Sequence, residues 1–148
     1  ALSSWVQGWF KPLAYALILL RREGTPCVFY GDYYGIPHDG IGAVGGQLDE
    51  LLRLRREAAY GEQVDYLDDY NIIGWTRLGD AGRPGSGCAV ILTDGPGGSK
   101  KMCMGVRFAG RTFADRLGNC PGTVTLGEDG RGEFRVNGGS VSVWVPVG

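Results

Sequence analysis

The sequence has little of what marks several large protein classes. Fifteen Lys and Arg face sixteen Asp and Glu, a net charge of −1. That balance leaves no basic footprint for nucleic acid or for an anionic membrane. The longest strictly apolar run is eight residues, Leu13 to Leu20, far short of the roughly 20 that span a bilayer. It does not read as a signal-peptide core either. Arg21 and Arg22 follow it, only Lys11 precedes it, and no small-residue cleavage site is present. There is one His, and the four cysteines (27, 88, 103 and 120) include no Cys-x-x-Cys pair. A zinc site is therefore not expected, and the cysteines read as buried free thiols. None of the three asparagines begins a glycosylation sequon. The first residue is Ala1 rather than Met, and the expectation is an interior stretch of a longer protein.

Glycine is what the chain has in excess, 27 of 148 residues, against a usual share of about 7%. No Gly-X-Y period accompanies it, so the glycines read as tight turns between short strands. The apolar share of 43% supports a packed core.

The pattern changes near Gly61. Before it the chain reads helix, strand, helix. Ser4 to Gln7 forms a Ser-x-x-Gln box that predicts a helix from about Trp5 to Arg22, with Pro12 either in its first turn or kinking it. The apolar residues of this helix cover all sides, so burial on more than one face is expected. Residues 27–30, Cys-Val-Phe-Tyr between Pro26 and Gly31, predict a strand buried on both faces. A second helix is expected from about Gln47 to Tyr60. Arg55 falls inside its apolar stripe, so a hydrogen-bonded or paired guanidinium is predicted there.

After Gly61, six short runs read as strands, at residues 72–75, 88–92, 102–104, 123–126, 133–136 and 141–145. Gly79-Asp80, the Asp94 to Gly98 stretch, Asp129-Gly130 and Asn137-Gly-Gly139 lie between them as hairpin signals. Val141, Val143, Val145 and Val147 alternate with other residues, so one face of that strand should be core. An antiparallel sandwich follows. The stretch from Gly95 to Lys101 lacks phosphate-loop spacing and reads as a hairpin loop. One strand between two apolar helices cannot make a parallel sheet alone. The expectation is thus a C-terminal portion of an α/β protein, then a β domain that closes on itself.

Four stretches carry a family resemblance. Trp9-Phe-Lys-Pro-Leu-Ala-Tyr-Ala16 resembles the seventh helix of a (β/α)8 barrel, and Gly24-Thr-Pro-Cys-Val-Phe-Tyr-Gly-Asp-Tyr-Tyr-Gly35 resembles the eighth strand and its loop. Ile72-Ile-Gly-Trp-Thr-Arg77 with Thr93-Asp-Gly-Pro-Gly-Gly98, and Gly132-Glu-Phe-Arg-Val-Asn-Gly-Gly-Ser-Val-Ser142, resemble a C-terminal β domain. Together they resemble the end of an α-amylase of the family 13 glycoside hydrolases, of the liquefying bacterial and fungal type.

The resemblance implies an α/β plus all-β fold class: the end of a (β/α)8 TIM barrel over residues 1–60 and an antiparallel Greek-key β-sandwich over 61–148. It implies retaining hydrolysis of α-1,4-glucans, starch or glycogen, by carboxylates at the ends of the fourth, fifth and seventh strands. All three would precede Ala1, so no catalytic residue is expected in this chain. His38-Asp39 stands after the eighth strand, the wrong place for the family's His-Asp motif. Asp32 and Tyr33 would lie at the substrate rim, beside Tyr34; the alternative is that these residues are structural. The implied calcium ligands are the Tyr70 carbonyl and the Asn71 and Asp94 side chains, too few to hold the ion alone, so none is expected on the fragment. The family often has Asp where Asn71 stands, and the alternative is that Asn71 and Asp94 cap turns. Partners would be the rest of the barrel and the glucan. The rival reading is a non-catalytic carbohydrate-binding or structural β-sandwich module, with Trp75 and Trp144 as sugar-stacking platforms.

Overall fold

A computed structural model describes residues 7–35 and 46–147. A 3-10 turn, Gly8–Phe10, leads into helix α1, Lys11–Leu20. Pro12 sits in the first turn of α1, where its missing N–H removes no helical bond. Ser4 lies outside the described residues. The helix stops two residues before the expected Arg22, because Arg21 turns extended (φ −83, ψ 159). Leu13, Tyr15, Ala16, Leu19 and Leu20 are buried, but Ile18 is 41% exposed. The expected all-round burial is therefore absent on one side of α1.

Helix α2, Tyr30–Tyr34, replaces the end of the strand expected at residues 27–30. Phe29 is extended (φ −74, ψ 130), but no neighbouring strand pairs with this segment among the described residues. Without a ladder the backbone turns helical at Tyr30. Phe29 is 45% exposed. Cys27 is also exposed, against the expectation of a buried thiol; Cys88 and Cys120 are buried, and all four are free. Helix α3, Gly46–Glu57, carries Asp49 in its first turn and Arg55 and Arg56 in its last, in accord with the helix dipole. The helix ends three residues before the expected Tyr60; Leu48, Leu51 and Leu54 form its buried stripe, which packs on α1, and Ala58 just past its end is buried as well.

Eight strands follow: β1 Gln63–Tyr66, β2 Ile72–Arg77, β3 Cys88–Thr93, β4 Gly98–Cys103, β5 Thr112–Asp115, β6 Thr123–Thr125, β7 Arg131–Val136 and β8 Val141–Pro146. All pairings are antiparallel. Six strands form one sheet in the order β1-β2-β3-β8-β5-β6, and β4-β7 form a second. The Greek-key feature is β8, the last strand, which lies between β3 and β5.

The six-stranded sheet separates two cores. Towards α1 and α3 it presents Trp75, Cys88, Val90, Leu92, Val141, Val143 and Val145. Towards β4-β7 it presents Ala89, Ile91, Phe113, Val124 and Trp144, which meet Met102, Phe134 and Val136. All six residues of β3 are buried. Val141, Val143 and Val145 of β8 form one core face, as the alternation predicts, but Val147 lies past the strand end and is exposed. The opposite face is core as well, because Ser142 and Trp144 are fully buried.

Three of the four hairpin signals mark corners instead. The Asp94 to Gly98 stretch links β3 to β4, Asp129-Gly130 links β6 to β7, and Asn137-Gly-Gly139 links β7 to β8; each pair lies in different sheets. These corners need glycine because backbones meet there. A Cβ on Gly97 would stand 2.7 Å from the Val136 carbonyl oxygen, and one on Gly130 (φ +80) would stand 2.0 Å from that of Gly105. Of the four signals, only the stretch containing Gly79-Asp80 joins two paired strands, β2 and β3.

Candidate functional site

Asp32 lies in α2 and is buried. Its Oδ1 accepts from Lys11 Nζ at 2.6 Å, and its Oδ2 accepts from the Tyr15 hydroxyl at 2.5 Å. Both partners project from the first half of α1. The Tyr15 oxygen in turn accepts the Phe29 N–H at 3.1 Å. Burial, then the bond to Asp32, pushes the Tyr15 phenol above its ordinary pKa, which keeps it a donor. Both carboxylate oxygens are thus engaged. Tyr33 donates its hydroxyl to Asp49 Oδ1 across to α3. Its ring meets that of Tyr34 edge-on at 4.6 Å, and Tyr34 is 63% exposed. Tyr33, Asp49, Leu52, Arg53, Arg55 and Arg56 line an open cleft of ≈ 580 Å³ beside this pair. His38 and Asp39 lie outside the described residues.

The three residues assigned to calcium lie beside one end of the β2–β3 ladder. Ile72 pairs with Thr93, so Asn71 and Asp94 are the next residues out from that pair. The Asn71 side-chain oxygen reaches over Gly95, 3.8 Å from where a Cβ would stand. Its backbone N–H binds Asp69 Oδ1 at 2.9 Å, a local Asx turn. Tyr70 is 93% exposed. Two side-chain oxygens and one carbonyl fall short of the six to eight that calcium takes, so these residues do not make a complete site. No group of three or more His, Cys, Asp or Glu suited to a metal occurs among the described residues.

Arg55 donates to the Leu19 carbonyl at 2.7 Å. The predicted pairing therefore takes the form of a helix-end carbonyl rather than a carboxylate. Arg77 Nη1 and Trp75 Nε1 both donate to the next carbonyl, Leu20, at 3.3 and 3.4 Å. Arg77 Nε also reaches the Gly61 carbonyl at 3.1 Å. The last carbonyls of a helix have no intrahelical partner; here two guanidiniums and an indole bond those of Leu19 and Leu20. Trp75 and Trp144 are both fully buried, so neither offers a ring to a sugar.

Residues 89–145 match the family described as "Alpha-amylase C-terminal". Over 99% of its length the chain is 62% identical to an α-amylase of Geobacillus stearothermophilus. It is 57% identical over 98% of its length to a glucan 1,4-alpha-maltohexaosidase of a Bacillus species, and 50% identical over 98% to an α-amylase of Bacillus licheniformis. The chain belongs to the α-amylase family, as a C-terminal segment.

It spans 27%, 28% and 29% of these relatives' own lengths. The α-amylase segment also shares its fold with solved structures. An Anoxybacillus α-amylase matches with a TM-score of 0.64 at 12% identity, covering 92% of this chain and 32% of its own. The Geobacillus thermoleovorans α-amylase matches at 0.65 and 13% identity, covering 95% of this chain and 34% of its own.

Two groups that matter to this geometry escaped sequence reading. Lys11 and Tyr15 sit four apart on one helix face, but nothing local points them at Asp32, 21 and 17 residues away. Asp115 accepts four backbone N–H groups, from Leu117, Asn119, Cys120 and Val143, and so ties the turn after β5 to β8. A turn-forming Asp before Gly118 was the only available signal.

Proposed function

We propose that the chain serves as the C-terminal part of an endo-acting, retaining hydrolase of α-1,4-glucosidic bonds in starch and glycogen. What supports the reading is the identity of 62% to a protein named α-amylase, sustained over 99% of the chain. In this reading residues 1–60 complete a (β/α)8 barrel and residues 61–148 form the C-terminal β domain. Its partners are the rest of that barrel and the glucan.

Retaining hydrolysis needs a nucleophilic carboxylate and a carboxylic acid roughly 5 to 5.5 Å apart across the sugar. The best-placed carboxylate of this chain, Asp32, already serves Lys11 and Tyr15, and Asp49 serves Tyr33. The catalytic pair therefore belongs to the remainder of the enzyme. This chain holds the barrel helices against the β sheet through the shared core of Leu13, Leu51, Val90 and Val143. In the same reading Tyr70, Asn71 and Asp94 would contribute part of a calcium shell completed by the barrel, and the ion would join the two parts electrostatically.

The test is reducing-sugar release from starch. The purified 148-residue chain is expected to release none above a heat-killed control, and the chain joined to the barrel residues that precede it in the gene is expected to release sugar. Release by the isolated chain, or none by the joined enzyme, would overturn the reading.

A further inference from the structure

The contacts around α2 assign Asp32 a different task from touching substrate. Asp32 is buried, and each of its carboxylate oxygens already accepts a hydrogen bond from α1, so its bonding is directed into the protein rather than towards a sugar hydroxyl. Lys11 and Asp32 have side chains only 12% and 13% exposed. Such an ion pair holds firmly only where further hydrogen bonds complete it, and Tyr15 supplies one at 2.5 Å. The Tyr15 oxygen also takes the Phe29 N–H, and the Asp32 N–H reaches the Phe29 carbonyl at 3.0 Å. The residue that enters α2 and the residue inside it are therefore both pinned to α1. The next two residues are Tyr33 and Tyr34, whose rings meet edge-on. Tyr33 is fixed on its far side by Asp49, and Tyr34 is the more exposed of the two.

We propose that Asp32 is a positioning residue: clamped by Lys11 and Tyr15, it fixes α2 and so sets the Tyr33–Tyr34 ring pair as an aromatic contact for a neutral glucan chain. The proposal rests on the glucan-hydrolase reading. Pyranose faces stack on exposed aromatic rings, and a displacement of about 1 Å in a positioned group can change rates a hundredfold.

Two experiments separate the clamp from the function. On the 148-residue chain itself, Tyr15→Phe removes one hydroxyl and little volume. Hydrogen exchange at the Phe29 amide and at residues 32–35 is expected to speed up while exchange in β3 stays unchanged; unchanged protection around Phe29 overturns the clamp. In the joined enzyme, Asp32→Asn is expected to raise KM for a maltooligosaccharide about tenfold with kcat within about twofold. Tyr34→Ala should give a similar rise, and the double variant no more than either alone. A KM that does not move, or effects of Asp32→Asn and Tyr34→Ala that add, overturns the proposal. Should Asp32→Asn fail to fold, Tyr15→Phe takes its place in the kinetic series with the same expected split. A joined wild-type enzyme without glucan hydrolysis would defeat the functional reading, and the exchange result would still decide the clamp.

Discussion

The two cores on either side of the six-stranded sheet are built differently. The sandwich core lies between two sheets of the same region, residues 61–147, and has a run of rings at its centre: Phe108, Phe113, Phe134 and Trp144 meet in a chain of edge-on and tilted contacts with centroids 5.7 to 6.3 Å apart. The helix-side core is mostly aliphatic, with Trp75 and Tyr15 among the leucines and valines, and about half of it comes from α1 and α3. It is also laced at its edge by polar contacts, including Arg21 to Asp65, Arg77 to the Leu20 carbonyl and Arg116 to Glu50. The strands β3 and β8 belong to both cores. A side chain lost from one of them is therefore felt on both faces, and the two layers are expected to unfold together. The strongest challenge to that coupling is Trp144→Ala, set against Leu51→Ala in α3. The first should cost about 3 to 5 kcal/mol and the second about 2 to 5 kcal/mol. Both should lower one cooperative transition in urea followed by circular dichroism. A second transition appearing in Leu51→Ala would mean that the cores are independent.

Cys88 sharpens the comparison because it sits on β3 facing the helices, with Arg77 opposite. Burial pushes its thiol from 9.0 up to about 12, and the nearby Arg77 only partly opposes this. Below pH 9 the thiol is neutral in both states, and its contribution to stability is whole. Above pH 9 the unfolded chain ionises and the folded one does not, so stability falls until the folded group titrates near 12. On the order of 2 kcal/mol should be lost by about pH 10.5, 1.5 pH units above the unfolded value. Cys88→Ala should flatten the slope, leaving the smaller share that the raised Tyr15 phenol contributes in the same direction. Urea midpoints at pH 8.5 and 10.5 for both proteins provide the check, and equal slopes would place Cys88 in contact with water.

Arg55 shows how far a sequence reaches. Its place inside an apolar stripe predicts a buried, hydrogen-bonded guanidinium, and the structure bears this out only in part: Arg55 is half-buried and bonds the Leu19 carbonyl. Which partner depends on α1 lying across α3, 36 residues away in sequence, and no local pattern carries that. The same limit explains the other differences. The β3 and β8 runs were legible because both are continuous or alternating apolar stretches. Strands β1 and β5 were missed because Gln63-Val-Asp-Tyr66 and Thr112-Phe-Ala-Asp115 are four residues long and half polar. Residues 27–30 have strand composition, but a strand also needs a neighbour. Glycine-rich turns were legible as turns; whether each closes a hairpin or crosses between sheets depends on pairing set elsewhere. At the candidate site, Asn71 and Asp94 came from family likeness, while the engagement of Asp32 is wholly tertiary. Because Arg55 is only partly buried and its partner is a carbonyl rather than a carboxylate, Arg55→Ala should cost about 1 to 2 kcal/mol. That is less than the 3 to 5 kcal/mol typical of a broken buried ion pair. Urea denaturation decides it, and a loss above 3 kcal/mol would point to a buried charge left behind.

The smallest effect is expected at the most conspicuous polar strap between the two regions. Arg21, just past α1, grips Asp65 of β1 through two nitrogens at 3.0 and 3.1 Å and lies over the Trp75 ring at 5.3 Å. Its geometry is favourable, yet the two side chains remain 24% and 39% exposed. Water screens the attraction, and both side chains lose rotamer freedom in making it, so such pairs stabilise by about 0.2 to 1 kcal/mol. Arg21→Gln should therefore lower stability by less than about 1 kcal/mol. In about 1 M salt, where the screening length is near 3 Å, wild type and variant should converge apart from the lost ring contact. Arg77 provides the contrast within the same few ångströms. It is 7% exposed and bonded to carbonyls at 3.1 and 3.3 Å, so the effect of Arg77→Gln should be larger and indifferent to salt. Melting both variants with and without salt separates a surface strap from a buried cap. If Arg21→Gln proves the more damaging of the two, the helices are held to the sheet by charge at the rim rather than by the apolar layer beneath it.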